Sequence, residues 1–207
     1  ILKADDDVGA AYVYLYRDGT WIYSEKLTAG DPAPGAYFGQ SVALQGDLMA
    51  IGARNADPNA AGAVYLFQRS GNEWVEIAKV IPPDGAADDQ FGFAVAMQGN
   101  VMAVGARRAD LTDPAGKDAG AAYVFALDQD SISLAAKLTA GDALAGDQFG
   151  QAVAMAGDVI AVGANRAAIG ANTKQGAVYL FRRMGNSWLE TDKITASEGK
   201  KNDEFGY

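Results

Sequence analysis

Phe-Gly recurs four times along this chain, at Phe38-Gly39, Phe91-Gly92, Phe149-Gly150 and Phe205-Gly206, in steps of 53, 58 and 56 residues (38 to 91, 91 to 149, 149 to 205). A Gly-Ala pair follows the first three copies fourteen residues later, at Gly52-Ala53, Gly105-Ala106 and Gly163-Ala164. No other feature narrows the fold as much. A period above about fifty residues exceeds that of most helical solenoids and suits a unit of four short strands, one blade of a propeller.

Each unit carries four short apolar segments in the same order. The first is FGQSVAL from Phe38, FGFAVAM from Phe91 and FGQAVAM from Phe149. The second reads LMAIGA, VMAVGA and VIAVGA, ending at Ala53, Ala106 and Ala164. The third is GAVYLF from Gly62, GAAYVF from Gly120 and GAVYLF from Gly176; the fourth is WVEIAKV from Trp74, ISLAAKL from Ile132 and WLETDKI from Trp188. Six or seven residues rich in Val, Ile, Tyr and Phe, bounded by Gly, Asp, Asn and Pro, are strand chemistry, and no sustained 3.6-residue period competes.

The joints repeat as well. Gln45-Gly46-Asp47, Gln98-Gly99-Asn100 and Ala156-Gly157-Asp158 are long enough only for hairpins, with Gly free to take positive φ. Arg17-Asp18-Gly19-Thr20, Ser70-Gly71-Asn72-Glu73 and Met184-Gly185-Asn186-Ser187 read the same way. The second joint is longer and varies most, over 54–61, 107–119 and 165–175. The third segments are apolar at almost every position, as strands covered on both faces are. The first two are built largely of Ala, Val, Met and Gly, small enough for crowding near a central axis.

The expected fold is therefore all-β, a β-propeller of four-stranded antiparallel blades. Residues 1–207 read as one continuous array: a partial blade over 1–37, full repeats over 38–90, 91–148 and 149–204, and the start of another at 205–207. That is about three and a half blades, and the expectation is a seven-bladed ring of which this is a part. A ring completed by another chain is the less favoured expectation.

Composition limits the partners. Seventeen Lys and Arg against 26 Asp and Glu leave a net charge of −9, which disfavours nucleic acid and anionic membrane. No apolar run reaches the length of a membrane span. The chain has no cysteine and no histidine, so thiolate and imidazole chemistry, including the usual zinc sites, is excluded within it.

The Phe-Gly…Gly-Ala arrangement followed by G-A-[VA]-Y-[VL]-F resembles the FG-GAP repeat of integrin α-subunit propellers, and is most similar to its bacterial variant. The resemblance covers almost the whole chain. It implies a non-enzymatic β-propeller, extracellular or at the cell surface of a bacterium, that recognises ligands through loops on one rim. Two departures stand out. Arg54, Arg107 and Asn165 follow Gly-Ala where integrins have Pro. The first hairpins hold at most one acidic residue where integrin-type repeats place a D-x-D-x-D-G calcium loop, so that calcium site is not carried over and no cofactor is expected.

Several residues invite a chemical reading. Acidic residues recur before Phe-Gly: Asp84, Asp88 and Asp89; Asp142 and Asp147; Glu198 and Asp203. Paired carboxylates could hydrolyse a glycosidic bond, but a position that recurs in every blade is better explained as capping of turn amides. Asn55-Ala56-Asp57-Pro58-Asn59 could start a cation loop, or be an ordinary turn around Pro58. Trp21, Trp74 and Trp188 could stack sugars, or pack on a neighbouring blade. Arg107-Arg108 and Arg182-Arg183 could grip an acidic partner, or be solvated. Function is sought in the long second joints, with Arg107, Arg108, Asp110, Asp113, Lys117, Asn165, Arg166 and Asn172 as candidate ligand residues. The favoured role is an interaction or adhesion module binding protein or glycan. The alternatives are a structural building block associating with other copies or subunits of an assembly, and a carboxylate hydrolase whose site lies outside these residues.

Overall fold

A computed structural model describes residues 7–56, 59–112, 116–128 and 131–207. Every regular element among them is a β-strand. A two-stranded sheet comes first, β1 (Ala11–Arg17) and β2 (Thr20–Leu27). Three four-stranded sheets follow. The first holds β3 (Phe38–Gln45), β4 (Leu48–Ala53), β5 (Ala63–Ser70) and β6 (Glu73–Val80). The next holds β7 (Phe91–Gln98), β8 (Val101–Ala106), β9 (Ala121–Asp128) and β10 (Ser131–Leu138). The last holds β11 (Phe149–Ala156), β12 (Val159–Ala164), β13 (Ala177–Met184) and β14 (Ser187–Ile194). Each sheet keeps chain order and is antiparallel throughout, as a propeller blade is.

The small-residue strand β7 neighbours both β3 and β11, the corresponding strands of the blades on either side, while the bulky third and fourth strands lie outward. The cores sit between sheets rather than within one. Val64, Leu66 and Val80 of one blade close over Phe91, Met102, Val104 and Tyr123 of the next. Val124 and Leu138 close in the same way over Phe149, Ile160, Val162 and Tyr179. Leu27, Ala11 and Val13 cover Phe38, Ile51 and Tyr65. Each fully buried Phe or Tyr contributes about 1.5–3 kcal/mol by transfer alone. The Phe of each Phe-Gly pair also meets two rings of its own third strand edge-on: Phe91 lies 5.4 Å from Tyr123 and 6.0 Å from Phe125. Phe38 and Phe149 repeat the arrangement.

The Phe-Gly and Gly-Ala glycines hold the joint between blades. Phe91 pairs with Ala106 and Ala94 with Gly105, so Gly92 and Phe93 bulge out of the ladder toward the preceding blade. There the Phe91 amide donates to the Ala61 carbonyl at 2.8 Å, and Gly62 bridges to Phe91 in parallel. Gly92 has φ +84, and a methyl on it would run into the Ala63 carbonyl oxygen. A methyl on Gly52 would overlap the Gly92 carbonyl; Gly105 faces Gly150 and Gly163 faces Gly206 in the same way. The two motifs recur together because each needs the other's missing side chain.

Register also sorts the joints between the two ends of the stack. In each blade the first strand begins, the second ends, the third begins and the fourth ends at one rim, as Phe38 opposite Ala53, Ala53 opposite Ala63 and Val64 opposite Val80 show. That rim carries Phe-Gly, Gly-Ala, the long second joints and the connections between blades. Among the described residues, the opposite rim carries two-residue hairpin turns, as at Gly46-Asp47, Gly71-Asn72 and Gly157-Asp158.

Candidate functional site

The rim is built by repeated acidic residues before it is varied by others. Asp31, Asp84 and Asp142 each stand seven residues before a Phe-Gly (38, 91 and 149). Asp84 accepts hydrogen bonds from the Tyr123 hydroxyl at 2.8 Å and the Lys137 ammonium at 2.6 Å. Asp142 does the same with Tyr179 and Lys193, and Asp31 with Tyr65 and Lys79. Burial opposes ionisation of these carboxyls, yet the Lys and Tyr hydrogen bonds outweigh it and hold all three below the ordinary value. Burial, with the carboxylate next to it, pushes the Tyr123 and Tyr179 phenols up.

Asp89, Asp147 and Asp203 stand two residues before Phe and cap their own turns, accepting from the amides of Ala86, Leu144 and Lys200. Capping therefore accounts for these three. It does not account for Asp84 and Asp142, which clamp the blade's third and fourth strands to the connection entering it. Asp89 and Asp147 are buried, and burial raises both carboxyls.

The second joints are fastened at both ends. In the 107–119 joint Arg108 pairs with Asp118 at 3.2 Å, and Asp110 accepts from the Asp118 amide at 2.8 Å. Leu111 bridges Gly116, and the Lys117 carbonyl accepts from the Gly146 amide of the following connection. Asp113 lies outside the described residues, as do Asp57 and Pro58 of the cation-loop candidate. In the 165–175 joint Ile169 and Asn172 form a double backbone bridge. The Asn172 amide donates to Gln175 and to the Gly199 carbonyl. Asp110, Lys117 and Arg166 present exposed side chains, and Asn165 is buried. A cleft of about 690 Å³ opens between the 107–119 joint and the neighbouring connections, lined by Asp84, Asp89, Asp110, Leu111, Thr112 and Lys137 among others.

The positions directly after Gly-Ala form an inner row on the same rim. Arg107 lies 3.7 Å over the Phe93 ring, donates from Nε to Gln90 at 2.7 Å, and from Nη1 to Gln151 of the next blade at 2.9 Å. Arg54 lies 4.0 Å over the Tyr37 ring. Asn165, third in the row, has its amide 3.4 Å from Glu204. Arg107-Arg108 is thus bound into the rim rather than solvated, whereas Arg182 and Arg183 are exposed on β13. Burial first, then the charges of Arg54, Arg108 and Arg166, lower the Arg107 guanidinium to about 10, which leaves it charged at neutral pH.

Residue types alone could not show that Arg107 spans two blades, because its partners are 17 and 44 positions away. The Asp–Tyr–Lys clamp did leave a trace in the sequence, a constant seven-residue offset together with a Lys in each fourth segment. Trp74 and Trp188 pack against the cores between blades, whereas Trp21 is exposed beside Tyr16. Among the described residues no group of three or more acidic side chains is placed to hold a metal ion.

Stacked four-stranded antiparallel blades with their loops gathered on one rim define a β-propeller protein. A model of the FG-GAP repeat matches residues 21–67, 74–125 and 132–181, well over half of the chain, and the chain belongs to the FG-GAP repeat family. Each matched unit runs from the fourth strand of one blade to the third strand of the next, and so contains one complete joint. Repeats of this family occur in integrin-like adhesion and interaction modules and are in general non-enzymatic. No curated protein matches the chain.

Proposed function

We propose that this chain is a non-enzymatic interaction module, extracellular or at a bacterial cell surface, that binds a partner through the loop-bearing rim. The carrying observation is a division of labour on that rim. The recurring acidic, aromatic and glycine residues are engaged in capping, clamping and blade contact, while the joints that differ between blades are tied down by backbone and side-chain bonds and present Asp110, Lys117 and Arg166 outward. A rigid scaffold presenting variable loops is the usual arrangement of a recognition surface. Fixed loops also reduce the ordering entropy that binding costs. Membership of the FG-GAP family supports both the binding role and the surface location.

The test is capture of surface proteins and glycans of the source organism on immobilised chain, compared with a variant in which residues 110–117 are replaced by alanine. The module reading predicts a captured species lost with the block and retained when the exposed hairpin residues Asn72 and Asn186 of the opposite rim are replaced. Capture that survives the block, or that depends on the opposite rim, contradicts it.

A further inference from the structure

Among the described residues, Arg54, Arg107 and Arg166 on the inner side of the rim form no ion pair. Arg108 has Asp118, whereas Arg107 is held by the neutral amides of Gln90 and Gln151 and lies over the Phe93 face. Arg54 contacts the Tyr37 face, and its Nε is buried with no acceptor. Arg166 is exposed, and among the described residues it makes no ion pair. The charges of Arg54 and Arg166 both act on Arg107, so the three are neighbours, with Arg166 at the position equivalent to Arg108 rather than in the inner row itself. Arg54 and Arg107 occupy the position after Gly-Ala in successive blades, and Arg166 occupies the next position in the third. The Arg108 and Arg166 amides are tied equivalently, to the Asp89 and Asp147 carbonyls.

The chain has nine more acidic than basic side chains, yet among the described residues no carboxylate is paired with these three arginines, and Glu204 on the same side meets the Asn165 amide instead. We propose that Arg54, Arg107 and Arg166 form a carboxylate-binding site at the inner edge of the rim, which takes an Asp or Glu side chain presented on a loop of a partner protein. A guanidinium lying over an aromatic ring keeps its N–H groups pointing away from the ring; with Nε and Nη1 of Arg107 donating to Gln90 and Gln151, its Nη2 is the group placed to meet a carboxylate. Gln90 and Gln151 fix the Arg107 plane beforehand without neutralising it, which limits the ordering cost of binding.

The surroundings select against a polyanion. Asp88, Asp110 and Asp203 are exposed on the same rim, so a polyuronate or nucleic acid meets repulsion along its length. A single carboxylate on an otherwise neutral loop meets the arginines within the screening distance of about 8 Å at physiological salt. One face of each of the Phe93 and Tyr37 rings, which could stack a sugar, is taken by Arg107 and Arg54.

This site rests on the rim-binding reading and names its partner chemistry. The test is a titration of isotope-labelled chain followed at the arginine Nε–H resonances, with N-acetyl-glutamate N-methylamide, glucuronate and inorganic phosphate as separate probes. The expected result is saturable shifts at Arg54 and Arg107 with the glutamate probe, and affinity at least tenfold lower in Arg54→Gln, Arg107→Gln and Arg166→Gln. Arg166 is exposed, so its variant keeps the test valid if the other two disturb packing. Absence of saturation, unchanged affinity in Arg166→Gln, or tighter binding of glucuronate or phosphate overturns the proposal. If the glutamate probe fails while partner capture still requires residues 110–117, this site falls and the rim-binding reading stands.

Discussion

Asp142 and Asp147 are five positions apart and do opposite things. Asp142 is ionised in a clamp with Lys193 and Tyr179, so its folded value is lowered; its stabilisation is present above the ordinary value of 3.8 and lost as pH falls through the folded one. Asp147 is buried over its own turn and its value is raised; the stability its neutral form provides is present below 3.8 and lost as pH rises through the folded value. Asp142→Asn is therefore expected to be less stable than the parent at pH 7, by about 0.2–1 kcal/mol as for an exposed ion pair, with the deficit shrinking as pH falls below 3.8 and gone once it is below the lowered folded value. Asp147→Asn keeps the cap and removes the buried charge, so it should match or exceed the parent at pH 7 and lose any advantage in acid. Thermal melts across pH 2.5–7, a window set about the ordinary carboxyl value, check both signs. The recurrence of both residues was legible in the sequence. Their different roles were not, because the Tyr and Lys partners of Asp142 are 37 and 51 positions away.

Strand positions were the most legible level of the structure, since turn residues punctuate every segment. The irregularities within strands were not. Each inner strand bulges just after its Phe, and each outer strand carries an extra residue at Ser24, Ile77, Ala135 or Thr191. A bulge depends on which residues oppose each other, and a single segment does not encode its partner's register. The outer bulges also interrupt edges that would otherwise be continuous templates for pairing. The inner bulges give the glycines different sensitivities. Gly99, at a hairpin tip with φ +59, has open space around it, so Gly99→Ala should cost about 1–2 kcal/mol for left-handed backbone alone. Gly105 has no such backbone demand, yet its missing side chain is occupied by the Gly150 carbonyl. Gly105→Ala should therefore cost more than about 3 kcal/mol, because backbone cannot yield as a side-chain end can. Denaturant melts of the two variants give the comparison; equal losses would contradict the joint described here.

At the scale of the whole molecule, each blade lends one face to the core on either side, so stability is shared between neighbours as in other repeat proteins. The period was legible from Phe-Gly and Gly-Ala alone, and so was the propeller class. The rim's electrostatics were not, because Arg54, Arg107 and Arg166 become a group only when successive blades are stacked. Net charge points one way and the inner rim the other, and composition records only the first. The claim underneath all of this is that bare backbone, glycine against glycine, couples one blade to the next. Native-state hydrogen exchange of Gly105→Ala measures that coupling directly. The account predicts that protection falls in β8 and, across the joint, at the start of β11 around Gly150, while β3 and β4 keep most of theirs. Loss confined to the substituted blade, with β11 unchanged, would contradict it.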